Sequence, residues 1–281
     1  MSVKRPLRIL ISAGPTREPI DAVRFLSNYS TGHMGSLLAA EALSRGHRVT
    51  VVHGPCSESF PSGARRIPVE ETAQMQDQMR RQTGRSDVVM MAAAVADFRP
   101  LRVLSGKIPR RGVRNLRLVA TPDILGRLPR RTDQLRVGFA LEAACVVARA
   151  GRKLRRKHLD LVLAQQLDPA QARENRARQR RSYDEANETP ASPFGHHRVR
   201  AWLLQRDGPS QDLGFCSKAR VARMLLDKVE TLWYGQYKFR DPTTCRIANG
   251  EPRSCGLPAA NPGRWWGEAG VTRMKAKQKR A

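Results

Sequence analysis

An alternation of pattern constrains this chain more than any other feature. Five short apolar runs, LRILIS at 7–12, HRVTVVHG at 47–54, SDVVMMAAAV at 86–95, RVGFALE at 136–142 and LDLVLAQ at 159–165, carry no polar-out period. Most are separated by stretches with helical spacing: MGSLLAAEALSRG, ETAQMQDQMRRQ and AGRKLRRKH. A strand that is apolar on both sides must be covered on both sides, and a helix between successive strands makes those strands parallel. The pattern predicts an α/β protein built on a three-layer, Rossmann-like, mostly parallel sheet. VRAWLLQRDG and CSKARVARMLLDKVETLW then predict a last strand, a turn and a closing amphipathic helix.

Two kinds of segment break the alternation. Residues 96–127 have Pro and Gly punctuation, one strand-like run (NLRLVA) and a short helix expected to open at Thr121-Pro122, since Pro suits the first helical position. The stretch 166–192 is polar and unpatterned and reads as an insertion or solvated loop, and 235–281 is rich in Pro and Gly, lacks periodicity and reads as a disordered tail. The domain reading is one domain over 1–234 followed by a basic tail, 235–281.

The net charge of +26 suits a polyanionic partner. Arg outnumbers Lys 41 to 10, however, and is spread along the whole chain rather than gathered in a stripe, so nucleic acid is not the expected partner. A non-catalytic nucleic-acid-binding protein on a nucleotide-binding fold stands as the alternative function. Five cysteines without a C-x-x-C pair indicate reduced thiols rather than a disulfide framework or a zinc site. No apolar run approaches the roughly 20 residues of a membrane span, and MSVKRPLRILIS leads into a strand without a cleavable segment. The expectation is a cytoplasmic protein without a membrane partner.

The connection after the first strand, AGPTREPIDAVRFLSNYSTGHMG, is too long for a dinucleotide fingerprint, which joins strand to helix directly. The second strand also lacks a terminal acid for a ribose, and without a dinucleotide fingerprint a reductase of nucleotide-sugar type is not indicated. What the connection does offer is Ser30, Thr31 and Gly32 at a helix N-terminus, where free N–H groups and the helix dipole suit phosphate.

Six words in order, AGPTREPIDAVRFLSNYSTGHMG, MAAAVADFRP, GKIPR, TPDIL, VGFALE and KLRRKHLDLVLA, resemble the phosphopantothenoylcysteine synthetase family, the ligase domain of the bifunctional decarboxylase/synthetase proteins of coenzyme A biosynthesis. The resemblance covers 7–165 closely and 193–232 loosely. It implies a ligase in which a nucleoside triphosphate, CTP in preference to ATP, activates the carboxylate of 4′-phosphopantothenate as an acyl-nucleotide that the amine of cysteine then attacks. Mg²⁺ would come with the nucleotide, no metal-ligating residue is assigned, and no flavin is expected in this chain, the decarboxylase being a separate polypeptide.

By the same resemblance Asn28 and Lys107 are the catalytic residues. Asn28 positions the acyl-nucleotide, and Lys107 contacts the triphosphate. Nucleotide contacts are assigned to Ser30, Thr31, Gly32, Asp97, Lys107, Pro122, Asp123, Ile124, Leu125, Phe139, Lys153 and Lys157, with Lys153 and Lys157 four apart and so on one helical face. Phosphopantothenate contacts are Arg24, Asn28, Ala93 and Ala94. The excursion at 96–127 is expected to build a homodimer, cover the neighbour's site and leave Arg24 reaching across the interface, because an unpaired NLRLVA edge would aggregate in a monomer. Departures from the family's words are His33 in place of Lys or Arg, Glu142-Ala143, Gln165-Gln166, and SPFGHH at 192–197.

Overall fold

A computed structural model describes residues 5–112, 114–167 and 198–237. Its centre is one eight-stranded sheet. In sheet order the strands are β5 (Arg65–Pro68), β4 (Arg48–His53), β1 (Arg8–Ala13), β6 (Val88–Met91), β9 (Leu135–Glu142), β10 (Leu161–Gln166), β11 (Arg198–Gln205) and β12 (Gln211–Ser217). The first six are mutually parallel, and β11 and β12 close the sheet as an antiparallel hairpin.

Alternate residues of each central strand feed two cores. Ile9 and Ile11 of β1, Val49 and Val51 of β4, and Leu161 and Leu163 of β10 pack with α1 (His33–Ser44) and α5 (Lys218–Tyr237) on one face. Leu10, Val52 and Val162 pack on the other face with α2 (Thr72–Thr83), α3 (Ile124–Arg127) and α4 (Val146–Arg156). The continuous apolar runs of the sequence are what a sheet covered on both faces requires.

Several boundaries differ from expectation. The first connection is no open loop: it folds into a short antiparallel hairpin, β2 (Arg17–Pro19) with β3 (Phe25–Ser27). NLRLVA is not left unpaired, because β8 (Leu118–Ala120) pairs with β7 (Phe98–Pro100) of the same excursion. The short helix opens at Ile124, two residues beyond Pro122, because the Asp123 carboxylate caps it by accepting from Gly126 N–H at 3.1 Å. The last helix runs to Tyr237 rather than ending by 234. Most of the 166–192 insertion, the SPFGHH word and all of the tail beyond 237 lie outside the described residues.

The amino ends of β1 and β6 are locked by Asp87. Its buried carboxylate accepts from Arg8 N–H at 2.8 Å and pairs with the Arg8 and Arg5 guanidiniums at 2.9 and 3.1 Å. Burial alone would raise its pKa, but these donors bring it down to about 2. A carboxylate depressed in the fold stabilises it above the unfolded value of about 3.9, and this is lost as pH falls towards 2. Asp87→Asn is expected to cost about 1–3 kcal/mol at pH 7, read as a lower urea midpoint, with the gap to the parent closing between about pH 4 and 2.

Candidate functional site

The chain passes from β1 to β4 on one side and returns to β6 on the other, so the sheet changes direction between β1 and β6. In open parallel sheets the crevice beyond the carboxyl ends at such a point is where ligands bind. Here the two exits are tied together: Ala94 N–H donates to Gly14 O at 2.9 Å, Ala93 N–H to Ser12 Oγ at 3.2 Å, and Pro15 bridges to Ala94.

The β2–β3 hairpin is set over this crevice by buried polar groups. Glu18 accepts from the Thr72 N–H and Oγ1 at 2.8 and 2.6 Å, Thr72 Oγ1 meets Thr16 Oγ1 at 3.0 Å, and Thr16 Oγ1 accepts from Ala96 N–H at 2.9 Å. Ser27 Oγ donates to Thr16 O at 2.7 Å. Asn28 follows directly, and its Nδ2 donates to Val95 O at 2.9 Å and Ala94 O at 3.3 Å. The amide is thereby held at the exit of β6.

The turn that opens α1 needs its glycine. Gly32 has φ +85°, and a Cβ there would lie 2.6 Å from Cys56 Sγ; Gly14, at φ +72°, would place one 2.3 Å from the same sulfur. The Cys56 thiol packs against both turns, and burial, with Glu58 second, pushes its pKa up to about 11. His33 N–H donates to Thr31 Oγ1 at 3.3 Å, and His33 Nδ1 lies 3.3 Å from Glu58 Oε1.

The remaining wall comes from the far side of the sheet. Thr121 Oγ1 donates to Ala96 O at 2.6 Å and Thr121 N–H to Asp97 O at 2.9 Å, which brings the TPDIL segment against the β6 exit. Lys153 donates its ammonium to Phe139 O, and Lys157 pairs with Asp123 at 2.9 Å. Burial, reinforced by Lys157, lowers the Lys153 pKa. Burial acts to raise Asp123, but the bonds from Lys157 and Gly126 N–H hold it below the usual carboxylate range.

Between these walls is a cleft of about 930 Å³. It is lined by Asn28, Ser30, Thr31, Gly32, Ala93, Ala94, Asp97, Pro122, Asp123, Ile124, Leu125, Phe139, Lys153 and Lys157. Arg24 and Lys107 do not line it. They sit together on the hairpin and excursion, where Arg24 donates to Ile108 O at 2.6 Å and Asp21 gathers the N–H groups of Val23, Arg24 and Ile108. Ile108 N–H foremost, with those of Val23 and Arg24, holds the Asp21 carboxyl below its ordinary value.

The lining also includes Tyr29, Arg156, Gln165 and Lys218, none of which sequence reasoning assigned to the site. For Lys218 there was a signal, a lysine in the first turn of a helix, where the macrodipole disfavours a cation. Among the described residues no group of three or more His, Cys, Asp or Glu could hold a metal ion, and no helix is long and apolar enough to cross a membrane.

Comparison with known proteins agrees with this architecture. The family described as DNA/pantothenate metabolism flavoprotein C-terminal domain matches residues 5–188. A coenzyme A biosynthesis bifunctional protein CoaBC of Bacillus subtilis is 36% identical over 227 residues, 80% of this chain and 51% of that protein. A protein named cysteine/cysteine sulfinic acid decarboxylase, from an unknown prokaryotic organism, is 35% identical over 230 residues, 80% of this chain and 58% of that protein. The chain thus spans little more than half the length of these relatives. The crystal structure of the C-terminal domain of a CoaBC protein superposes with TM-score 0.64 at 30% identity, covering 82% of this chain and 97% of that domain.

Proposed function

This chain belongs to the DNA/pantothenate metabolism flavoprotein C-terminal domain family, and from that premise we propose that it is a phosphopantothenate–cysteine ligase. One observation carries the reading: a single cleft at the sheet's switch point joins a phosphate-suited turn, the pinned amide of Asn28, Lys153 of α4 and Lys157 at its C-cap. The relatives named CoaBC supply the reaction class.

Amide formation from a carboxylate needs a better leaving group than oxide. A carboxylate oxygen of 4′-phosphopantothenate attacks the α-phosphorus of CTP, the bond to the β-phosphate oxygen breaks, and pyrophosphate leaves. The cysteine amine then adds to the acyl carbon, and CMP departs with the bridging oxygen as it loses a proton. Both steps bring anions together, so the site's work is positioning and charge stabilisation. The Ser30–Gly32 turn holds phosphate, Asp97 and the 122–125 segment hold the nucleoside, Phe139 packs on the base, and Lys153 and Lys157 face the phosphates. Ala93 and Ala94 line the pantothenate channel. Mg²⁺ would come with the nucleotide, held by its phosphate oxygens.

The test is pyrophosphate release with phosphopantothenate, cysteine, Mg²⁺ and either CTP or ATP. Product formed with CTP supports the reading; no turnover with either nucleotide ends it.

The proposal includes a homodimer. Phe98, Val103, Leu104, Leu116 and Leu118 of the excursion are 44–55% exposed, and Val23 and Phe25 of the hairpin and its turn are exposed beside them. So large an exposed apolar set marks an interface. In such a dimer Arg24 and Lys107, which do not line their own cleft, would reach the partner's. Leu116→Glu with Leu118→Glu is expected to halve the mass measured by light scattering and abolish turnover while leaving the far-UV circular dichroism of the parent, since both side chains are half-exposed. A mass unchanged at assay concentration would remove this interface.

A further inference from the structure

The start of α5 places a lysine against the cleft that no role above uses. Lys218 is half-buried, lines the cleft, and is the first residue of a twenty-residue helix. Two effects oppose a cation there, burial and the positive end of the helix dipole. The burial lowers its pKa to about 8, with Glu58 pulling in the other direction. Glu58 belongs to the connection after β4 and is fixed to the α1 turn: its N–H donates to Thr31 O at 3.3 Å, and its carboxylate faces His33. Lys218 therefore belongs with α1 and its Ser30–His33 turn, since α1 and α5 pack together on one face of the sheet, whereas α4, which carries Lys153, packs on the other.

A second observation points to an anion at this place. Gln165 lines the same cleft, and its Nε2 is buried without a hydrogen-bond partner among the described residues. A buried donor left unmatched costs free energy that an incoming acceptor recovers. The α1 N-terminus adds backbone donors that face outward from the turn. A cation held in an unfavourable position, an orphaned donor and a helix terminus converge on one wall.

We propose that Lys218 is a substrate-contacting residue that binds the polyphosphate chain of the nucleotide at the Ser30–His33 turn. This identifies the ligand of that turn within the ligase reading and rests on it for the nucleoside, but the contact itself is to phosphate. An anion at the turn favours the charged ammonium and raises its pKa above the free value, so affinity falls as pH rises through about 8. Glu58 and His33 are the titratable groups of the α1 turn that face this position.

The experiment is calorimetric titration of the full chain with inorganic tripolyphosphate, CTP and cytidine, for the parent, Lys218→Met and Lys218→Arg. Lys218→Met is expected to weaken tripolyphosphate and CTP about ten- to a hundredfold while leaving cytidine unchanged. Lys218→Arg is expected to restore affinity and abolish the fall above pH 8, because guanidinium stays charged. Equal tripolyphosphate binding by the parent and Lys218→Met overturns the inference, as does failure of the parent to bind tripolyphosphate. Failure of the ligase reading shows elsewhere, as absent pyrophosphate release in the presence of intact tripolyphosphate binding.

Discussion

Asn28→Ala is expected to consume CTP and release pyrophosphate in a first turnover near the parent rate, yet form 4′-phosphopantothenoylcysteine about 10²–10³-fold more slowly. The reason lies in what the amide touches. Its Nδ2 is committed to the Val95 and Ala94 carbonyls, so the side chain is fixed at the β6 exit, between the anion-suited turn and the backbone assigned to the pantothenate channel. Under the proposed reaction, a group fixed there would act on the acyl carbon and not on the departing pyrophosphate. Asn28→Asp is the sharper probe. A carboxylate cannot donate to two carbonyl oxygens, so it is repelled from the position the amide holds. Acyl-cytidylate should build up in both variants and be visible by mass spectrometry of quenched reactions. Parallel loss of pyrophosphate release and product would remove the role in transfer.

How much of this was legible beforehand follows from element length and from partner identity. The long runs that became β1, β4, β9 and β10 declared themselves because a strand covered on both faces leaves an unbroken apolar word. The strands β2, β3, β7 and β8 have three residues each, too few to display a period of two, and β5 has four. The hairpin partner β12 carries a bulge at Gly214, φ +66°, that breaks its alternation with β11.

Within the site, spacing predicted Lys153 and Lys157 on one helical face; Lys153 is in α4 and Lys157 caps its C-terminus, and both line the cleft. It could not show that Lys157 meets Asp123 while Lys153 meets Phe139 O, because those partners come from segments distant in sequence. Lys218 escaped for a related reason: in an amphipathic helix of a basic chain one lysine looks like solvent-facing charge, and only the packing of α5 beside α1 turns it into the cleft.

Lys107 and Asn28, mutated in separate chains and then mixed, are expected to rescue one another. Lys107→Gln alone should lower pyrophosphate release by about 10²–10³, the scale for losing one fixed donor to developing charge. The structure sets Lys107 on the excursion, exposed and away from the cleft of its own chain, next to Arg24 and the apolar set proposed as the dimer contact. If each cleft takes Asn28 from one chain and Lys107 from the other, a mixed dimer of Asn28→Ala with Lys107→Gln contains one cleft with both lesions and one with neither. Refolding the two inactive proteins together should then recover activity, up to about a quarter of the parent value, since random pairing makes half the dimers mixed and each of those has one intact cleft. If Lys107 serves the cleft of its own chain, every mixed cleft carries one lesion and mixing recovers nothing. Co-refolded parent and double-mutant chains give the reciprocal control: in trans, each cleft of their mixed dimer carries one lesion, whereas in cis one cleft stays intact.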